Sequence, residues 1–125
     1  MTKGMRNSMA KHIDFGFLVG TIKSNVKAMP SDLDMLLERK GKFLVGEWKR
    51  EGEKLSMGQK ILLKSLAKQK NFTVLIIEGY SYDGNTEVKE IGIIKGERLK
   101  KLAEGMEGLK GVIKRWYEYA NKEIK

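Results

Sequence analysis

The apolar run FTVLIIEG, at residues 72–79, limits the possible folds of this chain more than any other feature. A short, nearly continuous apolar run of this kind predicts a central strand that is covered on both faces. Such a strand lies inside a sheet, with neighbouring strands beside it. Together with the helical patterns elsewhere in the chain, it predicts an α/β domain.

The elements expected around this strand follow from local patterns. Residues 31–49 predict a β-hairpin, residues 55–70 have helical periodicity, and residues 87–94 predict a further strand. From about residue 97 to residue 124, apolar residues spaced by three and four predict a helical region. With a β-favouring stretch at 13–22, the order is ββ(β)αββα, in a single domain that spans the whole chain.

The apolar stripe of the C-terminal helical region has two interpretations. It packs against the sheet of its own domain, or it forms a seam between two copies of the chain. Packing within the domain is the simpler interpretation, and a homodimer through this helix stays open.

The composition excludes several kinds of functional site. The chain has no cysteine and a single histidine, His12. Disulfides, thiolate zinc sites, cysteine nucleophiles and multi-histidine zinc sites are therefore excluded. Any bound metal would be a hard cation such as Mg²⁺ or Mn²⁺, held by oxygen ligands.

Charge and hydropathy bear on partners and location. The formal net charge is +9, and the basic excess lies in residues 1–30 and 95–125, whereas residues 31–94 are close to neutral. A basic surface around an acidic centre suits a polyanion such as DNA, although a generically basic protein has the same composition. No apolar run approaches the ~20 residues of a membrane span, so we expect no membrane contact and a cytoplasmic location.

The predicted hairpin brings four charged residues together. A two-residue Lys-Gly turn at 40–41 places Asp34 directly opposite Glu47, and Asp32 directly opposite Lys49. Because side chains on a strand repeat every second residue, all four share one face. A turn that slipped by one residue would break this arrangement.

Two carboxylates about 5 Å apart across a hairpin oppose folding unless a cation neutralises them. Carboxylates that fix Mg²⁺ or Mn²⁺, beside a lysine ammonium, are what metal-assisted hydrolysis of a phosphodiester requires. The alternative is a solvent-facing hairpin with ordinary ion pairs.

The following helix carries a row of lysines. Lys60, Lys64 and Lys68 are spaced by four and lie along one stripe, and Arg50 and Lys54 extend the same surface. Such a row beside a metal site would track a phosphate backbone, or it is simply a solvated helix face.

These residues resemble a known motif. Asp34, a gap of twelve residues, and then Glu47-Trp48-Lys49 at the end of an apolar strand are similar to the PD-(D/E)XK nuclease motif. The segments PSDLD, GEWK and LSMGQ, within residues 30–79, resemble in particular the compact phage and virus-type replication-repair (VRR-NUC) nucleases of that superfamily. The resemblance implies a restriction-endonuclease-like core, a mixed sheet whose hairpin carries the active site and whose sides are flanked by helices.

The resemblance also implies a role for each matching residue. Asp34 and Glu47 would be metal ligands, with the backbone carbonyl of Trp48 as a third. Lys49 would be the catalytic lysine, and Gln59 would contact the attacking water or the phosphate.

The chain departs from the motif in two ways. Pro30-Ser31-Asp32 stands where the motif has Pro-Asp, so Asp32 competes with Asp34 for the aspartate role. We favour Asp34 because it lies opposite Glu47 in the predicted hairpin. The number of metal ions stays open, because Asp14 is the only acidic residue before the hairpin.

Taken together, the sequence predicts a nuclease that hydrolyses phosphodiester bonds in DNA with Mg²⁺ or Mn²⁺. The resemblance alone implies a phage or prophage origin, and hence the host cytoplasm. Two alternatives stay open: a non-catalytic basic module that binds nucleic acid, and a dimeric Holliday-junction or structure-specific resolvase.

Overall fold

A computed structural model describes residues 15–28, 30–31 and 33–122 of the chain. Its contacts divide the chain into two compact units, residues 1–32 and residues 33–125. Within the described residues, every strand and both α-helices belong to the second unit. A single domain over the whole chain stays a prediction.

The described part of the first unit contains a short 3₁₀ helix, Phe15–Leu18. The β-favouring interpretation of residues 13–22 is therefore wrong where it can be compared, and residues 13–14 lie outside the described residues. The backbone N–H of Thr21 donates to the carbonyl of Leu18 over 3.0 Å. Local turn bonds of this kind satisfy the backbone groups that a strand would offer to a neighbour.

The second unit confirms the α/β class. Its elements are β1 (Met35–Arg39), β2 (Lys42–Arg50), α1 (Met57–Ala67), β3 (Phe72–Tyr82), β4 (Asn85–Lys95), β5 (Arg98–Glu104) and α2 (Gly105–Asn121). The strands form one sheet in the order β1-β2-β3-β4-β5. The β2–β3 pair is parallel and the other three pairs are antiparallel, so the sheet is mixed. Among the described helices, none is long and apolar enough to cross a membrane.

The two faces of the sheet are covered by different helices. On one face, which we call the α1 face, Val74 and Ile76 of β3 pack against Leu63 of α1. On the opposite face, the α2 face, Leu75 packs in the same cluster as Trp116 of α2. Alternate residues of β3 are therefore buried under different helices, which confirms that the FTVLIIEG run is a strand covered on both faces.

The predicted helical region over residues 97–124 is wrong in its first part. Arg98–Glu104 is β5, and the helix begins only at Gly105. Gly96 has a φ of +61° in the β4–β5 turn, and Gly105 has a φ of +76° where the strand gives way to the helix. The apolar residues spaced by three and four therefore belong to two elements, the strand β5 and the helix α2. Residues 123–125 lie outside the described residues.

The apolar stripe of α2 packs within the domain. Val112, Trp116 and Ala120 are buried in the cluster of the α2 face, and Leu109 and Ile113 pack against it. The simpler interpretation of this stripe is confirmed, and the structure gives no support to a homodimer that uses it.

The turn of the first hairpin binds the C-terminal end of α2. Arg39 Nε donates to Asn121 Oδ1 over 2.7 Å, and Lys40 Nζ donates to the Asn121 carbonyl over 3.1 Å. Lys42, only 7% exposed, directs Nζ at the Ala120 carbonyl over 3.5 Å. Cations at this end stabilise a helix because its last carbonyls form the negative pole of the helix dipole.

Candidate active site

The hairpin has the register that the sequence predicts. Residues 40–41 form the turn, with positive φ values of 52° and 82°, and pairing runs from Arg39↔Lys42 to Met35↔Gly46. The prediction of a two-residue turn at this position is confirmed. Met35↔Gly46 is the last pair of the two strands, and Asp34 and Glu47 are the residues that follow it.

Asp34 closes the open end of this hairpin. Its Oδ2 accepts a hydrogen bond from the backbone N–H of Trp48 over 2.8 Å. In an antiparallel pair the N–H and the C=O of one residue face the same neighbouring strand. The Trp48 carbonyl therefore faces the edge of β2 at which Asp34 lies.

Glu47 and Lys49 lie on the α1 face of β2, two residues apart. In the parallel β2–β3 pair, Glu47 is beside Ile76 and Lys49 is beside Glu78. Glu47 is 6% exposed, which is unusual for a carboxylate unless it is paired or coordinates a metal.

Gln59 connects this carboxylate to the start of α1. Ser56 is the N-cap of the helix, and its Oγ accepts the Gln59 backbone N–H over 3.1 Å. Gln59 Oε1 accepts the Ser56 backbone N–H over 3.0 Å, which completes a capping box. The remaining end of the amide, Nε2, donates to Glu47 Oε2 over 3.0 Å. Because both ends have a partner, the orientation of the amide is determined by its hydrogen bonds.

Lys49 is held by a residue that the sequence reasoning missed. Its Nζ lies 3.3 Å from Glu78 Oε2 and donates to the Glu53 carbonyl over 3.0 Å. The Lys49 and Glu78 side chains are 20% and 18% exposed. Glu78 Oε2 also accepts the Gly52 backbone N–H over 3.3 Å. Glu78 ends the FTVLIIEG run, and only the pairing of β2 with β3 reveals that it adjoins Lys49.

A second polar group fixes the segment between β2 and α1. Glu51 accepts hydrogen bonds from Lys89 Nζ and, over 2.5 Å, from the Tyr80 hydroxyl. The hydrogen bond from Lys89, followed by that from Tyr80, lowers the pKa of Glu51 below its usual value. The same carboxylate raises the pKa of Tyr80 and the pKa of Lys89. These contacts hold the segment whose Glu53 carbonyl binds Lys49.

The residues that the motif singles out on the hairpin offer oxygen atoms of the kind that a hard cation prefers. They are the carboxylates of Asp34 and Glu47 and the carbonyl of Trp48, and Mg²⁺ is typically bound through one or two carboxylates plus waters and phosphate oxygens. Among the described residues, no three Asp, Glu, His or Cys side chains are grouped as metal ligands. Asp32, the competing aspartate, lies outside the described residues.

Only part of the predicted basic surface is available beside this site, because two of its lysines are paired with a carboxylate. Lys64 and Lys68 form salt bridges with Glu97, over 3.2 and 3.0 Å. The hydrogen bond from Lys68, followed by that from Lys64, lowers the pKa of Glu97. Lys60 is exposed on the same helix and lines a cavity close to Ile76.

Arg50 and Lys54 extend the basic surface on the segment that leaves β2. Both are exposed, and the Arg50 backbone N–H donates to Glu53 Oε1 over 2.7 Å. This bond belongs to the same segment that holds Lys49. The two side chains therefore lie close to the candidate site along the chain.

No protein family model, curated protein or solved structure significantly matches this chain.

Proposed function

We propose that this chain is a metal-dependent nuclease with a restriction-endonuclease-like core, which hydrolyses phosphodiester bonds in DNA with Mg²⁺ or Mn²⁺. One observation carries the proposal. Gln59 Nε2 is aimed at the buried carboxylate of Glu47, which shares a strand face with Lys49 and adjoins the strand edge at which Asp34 is bound. Four residues that the sequence singles out from three segments are thus joined through two hydrogen bonds and one strand.

These oxygen donors are of the kind that a hard divalent cation prefers, and Asp34, Glu47 and the Trp48 carbonyl would hold it. When bound, such an ion polarises the scissile phosphate and lowers the pKa of a coordinated water. Gln59 orients the Glu47 carboxylate through its hydrogen bond, and the sequence resemblance assigns its amide to the attacking water or the phosphate. The Lys49 ammonium lies on the same face and would stabilise negative charge that develops on the phosphate.

Glu78 and the Glu53 carbonyl hold Lys49 in position before substrate arrives. A side chain that is already fixed loses less conformational freedom when it meets the phosphate. Glu78 is therefore proposed as a positioning residue for the lysine. A phage or prophage origin rests on the sequence resemblance alone.

A non-catalytic module that binds nucleic acid is the second candidate. The observation that favours it is that Lys49 and Glu47 both have polar partners within the domain, as in a purely structural hairpin. A dimeric resolvase would need an interface other than the buried stripe of α2.

The test is cleavage of end-labelled single-stranded, duplex, flapped and four-way DNA with Mn²⁺, Mg²⁺ or EDTA. Wild type is compared with Glu47→Gln and Lys49→Ala, with Lys114→Ala on α2 as the matched control and with DNA binding measured for each. We expect cleavage that requires metal, is lost in both site variants and is unchanged in the control, while binding persists. Binding without cleavage of any substrate would overturn the nuclease and favour the binding module.

A further inference from the structure

Part of the α1 face beside the candidate site forms an open groove. Two adjoining cavities of about 210 and 280 Å³ share Ile76 and Leu99 in their lining. The first also contains Lys60, Arg98 and Glu97. The second contains Lys49 and Lys101 together with Glu78 and Glu90. We call this the α1–β5 groove. Ile76 is the β3 neighbour of Glu47, so the groove reaches the candidate catalytic residues directly.

The floor of the groove is apolar. Ile76 is 2% exposed, whereas Leu99 on β5 is 56% exposed and lies over Gly92, where a Cβ atom would come within 2.8 Å of Leu99 Cδ1. The Leu99 side chain therefore fills the space above Gly92 and gives the groove an exposed apolar surface. Such a surface contacts the faces of unpaired bases better than it contacts phosphates.

The walls of the groove supply cations for phosphates. Within the described part of the chain, neither Lys60 nor Arg98 forms a salt bridge with a carboxylate. Both side chains are exposed, and they lie on different elements, α1 and β5. Lys64 also lines the groove, but Glu97 binds it. A phosphate backbone would therefore meet Lys60 inside the groove and Arg98 at its rim, since Leu99, the next residue of β5, faces the groove and strand side chains alternate.

Beyond the candidate site, β3 and β4 continue as a projecting arm. β2 pairs with β3 only as far as Gly79, and β5 pairs with β4 only as far as Glu90. The pairs Tyr80↔Glu87 and Tyr82↔Asn85 therefore have no further strand beside them in the described sheet. We call this segment the β3–β4 arm.

The arm presents two tyrosines on the α1 face. The register shift between Glu78 and Gly79 leaves the extra residue on β4, so side chains along β3 keep alternating and Tyr80 and Tyr82 follow Ile76 and Glu78. Tyr80 is 43% exposed and Tyr82 is 68% exposed. The arm also carries Asp83 and Glu87, so its contribution is an aromatic surface and not a phosphate site.

We propose that a single-stranded segment of DNA binds along this face, with its backbone at Lys60 and Arg98 in the α1–β5 groove and a base stacked on Tyr82 of the β3–β4 arm. Cationic grooves with exposed aromatic side chains are the usual surface for single strands. A continuous duplex turns its bases inward and would use neither the apolar floor nor Tyr82. The inference rests on the proposed function only in assigning the bound strand as the substrate.

The test measures binding without cleavage. Fluorescein-labelled oligodeoxythymidine and a hairpin duplex of equal length are titrated in EDTA, and anisotropy is read at several salt concentrations. Each of Lys60→Gln and Arg98→Gln should weaken binding of the single strand about tenfold. Each should also lower the magnitude of the salt slope by about 0.7. The matched control is Lys114→Gln, an exposed lysine on α2, which should change affinity less than twofold.

The stacking part is tested with Tyr82. Tyr82→Leu should weaken binding of the single strand about fivefold or more, whereas Tyr82→Phe, which keeps the ring, should bind like wild type. Circular dichroism of each variant checks that the fold is retained. Because Lys60, Arg98 and Tyr82 lie on different elements, a local defect at one of them does not account for the effect of the others.

The inference would be overturned if duplex bound as tightly as the single strand, or if the groove variants behaved like Lys114→Gln. Duplex cleavage that is independent of Lys60 and Arg98 would refute this inference and leave the nuclease standing. Single-strand binding that depends on the groove, without cleavage in any metal, would refute the nuclease and leave the surface standing.

Discussion

Replacing Glu47 by glutamine separates the charge of this side chain from its shape. Glu47 is 6% exposed and accepts the hydrogen bond of Gln59 Nε2 over 3.0 Å. A glutamine has the same number of heavy atoms, and its amide oxygen accepts the same bond. The Glu47→Gln variant should therefore keep the geometry of the site while losing one ionised metal ligand.

In the absence of metal, we expect the variant to be at least as stable as wild type. A hydrogen bond to a charged group contributes about 1.5–3 kcal/mol and a neutral one about 0.5–1.5 kcal/mol, so the bond from Gln59 weakens by about 1 kcal/mol. The substitution also removes the desolvation penalty of a buried carboxylate, on the order of several kcal/mol. Because the second effect is larger, the melting temperature should stay equal or rise.

With excess Mn²⁺ the order of the two melting temperatures should invert. A ligand at about a hundred times its Kd adds about 2.7 kcal/mol to the free energy of unfolding. For a domain of this size, that raises the melting temperature of wild type by roughly 10–20 °C. The variant should gain little. Scanning calorimetry with and without MnCl₂ measures both effects, and Glu118→Gln, an exposed carboxylate on α2, is the control.

Two results would refute this reasoning. Equal stabilisation of wild type and Glu47→Gln by Mn²⁺ would place the ion elsewhere, and no stabilisation of either would remove the metal from the proposal. A variant that melts far below wild type without metal would instead assign the Glu47 carboxylate a structural role.

Three further predictions concern the framework of the site. A Cβ atom at Gly79 would overlap the Glu87 carbonyl oxygen, so Gly79→Ala should destabilise the domain by at least about 1–3 kcal/mol in urea unfolding; wild-type stability would contradict this packing. Lys42→Met should lose about 1–2 kcal/mol because it removes the cation at the end of α2, whereas Lys42→Arg should lose less. The Lys89 hydrogen bond lowers the pKa of Glu51, so this carboxylate stabilises the fold above its usual pKa of 4.5 and the contribution is lost as the pH falls below it. Glu51→Gln should therefore have a flatter stability profile in that acid range, and an unchanged profile would count against the pairing.

The hairpin could be predicted because its geometry depends on local chemistry. A Lys-Gly pair that accepts positive φ values indicates the turn at residues 40–41, and the register from Arg39↔Lys42 to Met35↔Gly46 follows from that turn. The capping box of Ser56 and Gln59 also depends on local chemistry, since the two residues are three apart along the chain. The sequence resemblance assigned Gln59 to the site as a contact of the attacking water or the phosphate, and its bond to Glu47 was not expected.

Contacts that depend on pairing between distant segments were not predictable in this way. The Lys49–Glu78 pair requires the parallel register of β2 and β3. These two strands are separated in the chain by α1, so their register is not a local property. The assignment of Arg98–Glu104 to a helix failed because an unpaired edge of β4 was available to it. Periodicity of three and four cannot reveal such an edge, since the edge belongs to another part of the chain.

The binding of the hairpin turn to the end of α2 has a consequence for the order of folding. Lys42 and Ala120 are 78 residues apart in sequence, and Arg39 and Asn121 are 82 residues apart. Contacts of such long separation form slowly, because the intervening chain must be ordered before they are made. The β1–β2 hairpin needs only near neighbours, so it forms early but keeps its α2 face exposed to aggregation until that helix docks. The hairpin with the candidate catalytic residues is thus one of the first structures to form, and its contacts with α2 are among the last to be made.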